Sequence, residues 1–183
     1  MKYLLDGQET DRLIFRKILE SDYNQWLEFF KDPRTSEHWT EEKESPEKEC
    51  TKWYEKQFGC YKNGKGGMNA LIEKKNGKLV GHCGLLIQTV DGNQELEIGY
   101  SLLPEFWSKG YAAEAVLLCR DFAFQNEFAD SLISIISVTN TPSENVARKN
   151  GMIIEKSTTY NGNRVNIFRI TKKEWDYLKR FRK

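Results

Sequence analysis

Phe106–Ala115 reads FWSKGYAAEA. Two bulky aromatics give way to a lysine, a glycine and a run of small side chains. Upstream, Gln94–Leu103 (QELEIGYSLL) has the composition of a strand, and Pro104 stops it. Downstream, Ala112, Ala115, Val116, Cys119, Phe122 and Ala123 recur mostly at spacings of three and four, which predicts a helix over 110–128. A strand thus passes through a short loop into a helix whose start holds Gly110, Ala112 and Ala113. Small residues let another group approach the backbone, and free N–H groups at a helix start favour an anion. Lys109 adds positive charge. A phosphate or pyrophosphate fits there; simple helix packing would use the same small residues.

Working outward, Arg12–Leu19 reads as a first strand. Ser21 or Asp22 then caps a helix carrying Trp26, Leu27, Phe29 and Phe30, which Asp32-Pro33 ends. The charged stretch Ser36–Glu49 leads into a helix over Pro46–Phe58, and the glycines of Gly59–Gly67 mark a turn. Strands follow at Met68–Lys74, Leu79–Val90 and Gln94–Leu103, the last two joined by the tight turn Asp91-Gly92. After the long helix come a strand at Leu132–Val138 and a short helix at Thr141–Asn150, stopped by Gly151. A hairpin of Met152–Tyr160 and Arg164–Ile170 turns at Asn161-Gly162, and a last helix covers Lys172–Phe181. Antiparallel strands followed by a strand–helix–strand crossover predict a mixed α/β (α+β) sheet, not a doubly wound one.

The chain has 183 residues, 39% hydrophobic and 30% charged, which suits one globular domain over its whole length. The net charge of +1 gives no overall electrostatic reason to expect nucleic-acid or membrane binding. No apolar run has the length of a membrane span and the first residues lack the core of an export signal, so a cytoplasmic location is expected. Cys50, Cys60, Cys83 and Cys119 are irregularly spaced and read as free thiols. His38 and His82 are the only histidines, and His82 and Cys83, neighbours in a strand, face opposite ways; no metal site is expected. Gly59–Gly66 (GCYKNGKG) nearly spells a phosphate-binding loop, but Gly66 replaces the required hydroxyl residue, and a helix precedes where a strand should. It reads as a solvated turn.

The segment EIGYSLLPEFWSKGYAAEA resembles the acetyl-CoA-binding motif of the GNAT family of N-acetyltransferases, in the branch of the ribosomal-protein N-terminal acetyltransferases. Glu97-Ile98-Gly99-Tyr100 and Trp107, Lys109, Gly110, Tyr111, Ala112, Glu114 and Ala115 carry the likeness. Ser108 and Ala113 depart from a common glycine and threonine. Asn140–Met152 (NTPSENVARKNGM) resembles a second family block and Glu9–Arg16 (ETDRLIFR) its opening block. The resemblance implies the GNAT fold, a central, mostly antiparallel twisted sheet flanked by helices. It also implies acetyl-CoA as cosubstrate, no metal, and direct attack of a primary amine, from a protein N-terminus or a small molecule. Monomer and homodimer both remain open.

The resemblance further implies roles. Gly110, Tyr111, Ala112 and Ala113 would offer N–H groups to the pyrophosphate, beside Lys109. Gly99, Ser101, Leu102 and Leu103 would line the pantetheine arm, with a backbone N–H near Tyr100 stabilising the oxyanion. Asn140 and Asn145 belong to the cofactor set. Ser143 stands where the family serine approaches the sulfur, as acid, with Tyr160 a weaker alternative; as a purely structural residue Ser143 would cap the helix. Strand alternation puts Glu95 and Glu97 on one face, and Glu97 fits the family's acidic position as the base, directly or through a water. A solvent-facing role for both glutamates is the structural alternative. Cys119 is expected in the core, His82 in a strand, and Glu41, Glu42, Glu44, Glu47 and Glu49 on a solvated face near the acceptor side.

Overall fold

The computed structural model describes residues 2–40 and 44–181. Its strands are β1 (Leu13–Arg16), β2 (Gly66–Glu73), β3 (Leu79–Val90), β4 (Asn93–Leu102), β5 (Ser131–Ser137), β6 (Ile153–Tyr160) and β7 (Asn163–Thr171). The helices are α1 (Tyr23–Lys31), α2 (Pro46–Lys62), α3 (Tyr111–Gln125), α4 (Thr141–Lys149) and α5 (Lys172–Phe181). All seven strands form one sheet in the order β1-β2-β3-β4-β5-β7-β6. Every pairing is antiparallel except β4 with β5, which run parallel and are in register only at Glu97 opposite Ile133. This is the mixed, mostly antiparallel sheet expected from the order of elements.

The two hairpin turns follow from their dipeptides. Asp91 and Gly92 both take positive φ (48° and 81°), as do Asn161 and Gly162 (46° and 74°), and this is the backbone twist a two-residue hairpin needs. Ser45 accepts from the Lys48 N–H and Pro46 follows it, so α2 begins where a capping serine and an N1 proline place it.

The expected first strand, Arg12–Leu19, contracts to four residues. Beyond Arg16 the chain is held by side chains: Asp22 accepts from the Leu19 N–H (3.0 Å) and both guanidinium ends of Arg16 (2.7 Å each). The expected turn at Gly59–Gly67 is a correction. The helix α2 runs on through Gly59 to Lys62, because Tyr61 is buried and its hydroxyl donates to the Met68 carbonyl while accepting from the Ile18 N–H. The first half of the stretch that mimics a phosphate loop, Gly59–Lys62, is therefore a helix end anchored in the core, and the turn is confined to the residues between Lys62 and β2. The third helix stops at Gln125, short of the expected Phe128.

Helices cover both faces of the sheet, and two consecutive residues of β3 show it. His82 meets Trp26 of α1 and Trp53 of α2 (ring centroids 4.2 and 4.6 Å apart), whereas the Cys83 sulfur lies 3.5 Å from that of Cys119 in α3. All four cysteines are free, and Cys119 is buried in the core as expected. The α1–α2 layer is aromatic: Trp26 is fully buried, stacks on Phe29 at 4.4 Å, meets Phe30 edge-on and lies tilted against Trp53. Among the described residues no helix is long and apolar enough to cross a membrane.

His82 is fully buried with neither ring nitrogen bonded among the described residues. Burial pushes its pKa from 6.5 down to about 3, with Arg16 acting in the same direction and Asp22 against it. The unfolded chain therefore binds a proton below pH 6.5 that the folded chain refuses, so stability falls as pH drops from there toward 3. Urea titrations over that range should show a weaker pH dependence for His82→Leu than for the wild type; equal slopes would mean that His82 is protonated in the fold. Truncating Trp26 to alanine should cost about 3–5 kcal/mol in the same assay at neutral pH, since a fully buried indole leaves a cavity behind.

Candidate active site

Beyond Glu97 the strands β4 and β5 part. Three bonds reveal which main-chain groups of β4 face the gap. Ser134 of β5 donates its hydroxyl to the Ile98 carbonyl (2.8 Å), and the Trp107 indole donates to the Leu102 carbonyl (2.7 Å). On the other side, the Leu103 N–H donates to the Val80 carbonyl of β3 (3.0 Å). Alternation then turns the main chain of Tyr100, like that of Ile98 and Leu102, toward the opening. Gly99 and Ser101 turn theirs toward β3. Leu103, expected at the cofactor, has left the open edge. A Cβ on Gly99 would meet the Leu86 and Met68 side chains at 3.0 Å, so glycine there keeps the floor beside Glu97 unobstructed.

The open edge leads to the start of α3. Ser108 and Gly110 both lie in the left-handed region (φ 59° and 83°), which wraps the loop tightly around Lys109. Gly110 is the N-cap and supplies no side-chain cap. No acceptor is seen among the described residues for the N–H groups of Tyr111, Ala112 and Ala113. Lys109 is exposed, with its ammonium 5.3 Å from the Phe106 ring.

This helix start is latched to the beginning of the chain. Glu114 accepts from the Thr10 hydroxyl, the Arg12 N–H (3.0 Å) and the Arg12 guanidinium (2.6 Å). The same guanidinium donates to the Lys109 carbonyl (2.9 Å) and lies over the Tyr111 ring. Burial alone would raise the Glu114 carboxyl; the bonds from Thr10 and Arg12 outweigh it and hold the pKa below its ordinary value. A groove of about 530 Å³ opens beside the latch, lined by Arg12, Ala113, Glu114, Leu117, Lys149 and Asn150. No local signal links Thr10 and Arg12 to Glu114; they are distant in sequence and meet only in the fold.

Asn140, not Ser143, caps α4: its side-chain oxygen accepts from the Ser143 N–H (3.1 Å). The Ser143 hydroxyl is left without a bond among the described residues, and its carbonyl accepts from the Tyr100 hydroxyl (2.9 Å). The Tyr100 phenol is pushed well above its ordinary pKa by burial, so it stays protonated. Asn145 is exposed on α4. Trp107 is pinned by its indole bond and faces the Arg34 guanidinium at 5.4 Å.

The two glutamates of β4 share a face, as alternation requires, but have different partners. Glu95 is bound by Arg169 of β7 through two bonds (3.0 and 2.7 Å), which removes it as a free base. Glu97 has no ion pair among the described residues; burial raises its carboxyl pKa above the ordinary range, and hydrogen bonds from Gln88 and the Ile135 backbone oppose this. Tyr160 stands on the same face, its hydroxyl bonded to Gln88. Glu41 and Glu42 lie outside the described residues. Glu44 pairs with Lys52, and Glu47 and Glu49 occupy the first turn of α2. Among the described residues no cluster of His, Cys, Asp or Glu could hold a metal ion.

Comparison with known proteins agrees with this geometry. The family model of the acetyltransferase (GNAT) domain matches residues 12–153. The YkkB protein of Bacillus subtilis (strain 168) is 29% identical over 152 residues, covering 81% of this chain and 86% of YkkB. An acetyltransferase from Agrobacterium tumefaciens str. C58 has the same fold, with TM-score 0.76 at 20% identity over 93% of this chain and 96% of that one. The ribosomal-protein alpha-N-acetyltransferase RimL, solved with coenzyme A, superposes with TM-score 0.71 at 17% identity, covering 90% of this chain and 97% of RimL. With the domain model spanning most of its length, from the latch through β4, α3 and α4, the chain belongs to the GNAT family and is an N-acetyltransferase.

Proposed function

We propose that the chain moves an acetyl group from acetyl-CoA to a primary amine, the α-amine of a protein N-terminus or the amine of a small molecule. The observation that carries this reading is the continuity of unpaired backbone. An open strand edge at Tyr100 runs into an uncapped helix start at Gly110–Ala113, and a cosubstrate with amide groups at one end and a pyrophosphate at the other suits both. The RimL complex with coenzyme A supports that fit.

When bound, acetyl-CoA supplies the activated thioester. The N–H groups of Tyr111, Ala112 and Ala113 take the pyrophosphate, with the positive end of α3 and Lys109 behind them. The amide nitrogen of Asn140, whose side-chain oxygen caps α4, and Asn145 further along α4 bond the cosubstrate's polar groups. The Tyr100 N–H donates to the oxygen on which negative charge develops. Glu97 accepts the amine's proton, directly or through a water; burial raises its carboxyl above the ordinary range, which makes it a better base than an ordinary glutamate. The Ser143 hydroxyl, free of capping duty, gives a proton to the departing sulfur.

Calorimetric titration tests the cosubstrate. Acetyl-CoA and CoA should bind and ATP should not. Ala112→Glu should weaken CoA binding by about tenfold or more while leaving the melting temperature equal or higher, since a carboxylate near a helix start repels phosphate but favours the helix. A folded wild type that binds neither CoA nor acetyl-CoA would overturn the proposal. With an acceptor found in an amine panel, Glu97→Gln should lower kcat/KM by about a hundredfold at neutral pH, and Ser143→Ala should lower it less. Unchanged rates in both variants would remove these residues from the chemistry.

A further inference from the structure

Among the described residues Glu97 is the one carboxylate of β4 without an ion pair, and it stands at the register position where the strands part. Its bonded neighbours are neutral. The Gln88 amide nitrogen of β3 donates to it at 2.7 Å, and the Tyr160 hydroxyl of β6 bonds the Gln88 carbonyl oxygen at 3.1 Å. We infer that Gln88 is a positioning residue for the base: its amide, oriented by Tyr160, holds the Glu97 carboxylate at the vertex of the opening. This rests on the reading of Glu97 as the base.

The chemistry of the three groups admits one ordering. An ionised carboxylate only accepts, so the amide must present its NH2 end to Glu97. The amide oxygen is then turned to Tyr160, and the phenol must donate. Tyr160 can do so throughout the working range, because burial and the nearby Glu97 both raise its pKa. The chain of donors thus points one way, from phenol to amide to carboxylate, and the ionised form of Glu97 is the form it rewards. Were Glu97 protonated, the amide could turn either way and Tyr160 would lose its fixed role.

The surroundings leave this task to Gln88. On β4, Glu95 is neutralised by Arg169, and Arg169 is also engaged by Glu155 of β6. Tyr100 stays a neutral phenol. From β5 the Ile135 backbone assists, and from α2 the charge of Lys56 acts without a contact. Burial drives Glu97 toward protonation, and Gln88 is the largest influence against it. The residue therefore sets how far burial can raise the base before it ceases to be ionised when the amine arrives.

The test is the titration of the Glu97 side chain by carbon NMR of carboxyl-labelled protein, its signal identified by its loss in Glu97→Gln. This readout needs no acceptor. In Gln88→Met, which keeps the length and lacks the donor, the midpoint should rise by about one to two pH units, the loss of one charge-assisted hydrogen bond. In Tyr160→Phe, which leaves the amide in place but unanchored, it should rise by less. With an amine acceptor, the acidic limb of kcat/KM against pH should move up by the same amounts. A Glu97 midpoint unchanged in both variants overturns the inference, and Tyr160→Phe decides alone if Gln88→Met fails to fold. An acidic limb that survives in Glu97→Gln overturns instead the assignment of the base, and the NMR shift still judges the hold of Gln88.

Discussion

One register position, Glu97 opposite Ile133, joins two groups of strands that are otherwise each complete. On one side β1 to β4 form an antiparallel set, and on the other β5, β7 and β6 form a second. A parallel pair limited to one position contributes little ladder, so the cohesion of the domain must come from above and below the sheet. Below, α3 and α4 pack across the junction. The buried Arg120 guanidinium donates to the Asn150 carbonyl, and Ser134 bonds Ile98 where a ladder bond would otherwise lie. Above, residues of β6 and β7 reach the β3–β4 hairpin: Lys156 and Thr158 to Asp91, Tyr160 to Gln88, Arg169 to Glu95. Exposed pairs such as Lys156–Asp91 contribute little each. The continuous apolar core beneath carries most of the weight.

That arrangement lets the protein keep backbone groups unsatisfied where they are useful. An edge at Tyr100 and a bare helix start at Gly110 would each be a liability on an ordinary surface. Here the first is sheltered in the parting of the strands. The second is stiffened from outside by Thr10 and Arg12 bound to Glu114. The latch leaves the N–H groups of the first turn alone, because it grips a carboxylate one turn further on and the Lys109 carbonyl behind.

Much of this was legible from short patterns. Period, Pro, and the Asp-Gly and Asn-Gly pairs placed nearly every element, since turn geometry and helix faces are local properties. Alternation correctly put Glu95 and Glu97 on one face. It could not separate them, because their partners come from different strands: Arg169 from β7, Gln88 from β3. The Gly59–Gly67 stretch misled for a related reason. Its glycines favour a turn, but Tyr61 finds its partners in Ile18 and Met68, and tertiary anchoring overrides local preference. Ser143 has the right residue type to cap α4, and only the geometry gives that role to Asn140. The parting of β4 from β5 has no local signature.

The back-to-back placement of His82 and Cys83 has a consequence for the thiols. Cys50, Cys83 and Cys119 are sealed in the core, with burial raising Cys50 to about 11 and Cys119 well above the ordinary thiol range. Cys60 alone is partly exposed. The chain thus carries an internal clock: one cysteine is partly exposed in the native state, while three become reactive only as fast as the layers on either side of β3 come apart. The pace at which alkylating reagents consume the slow three is set by breathing of the core, on the α1–α2 side through Cys50 and on the α3 side through the pair.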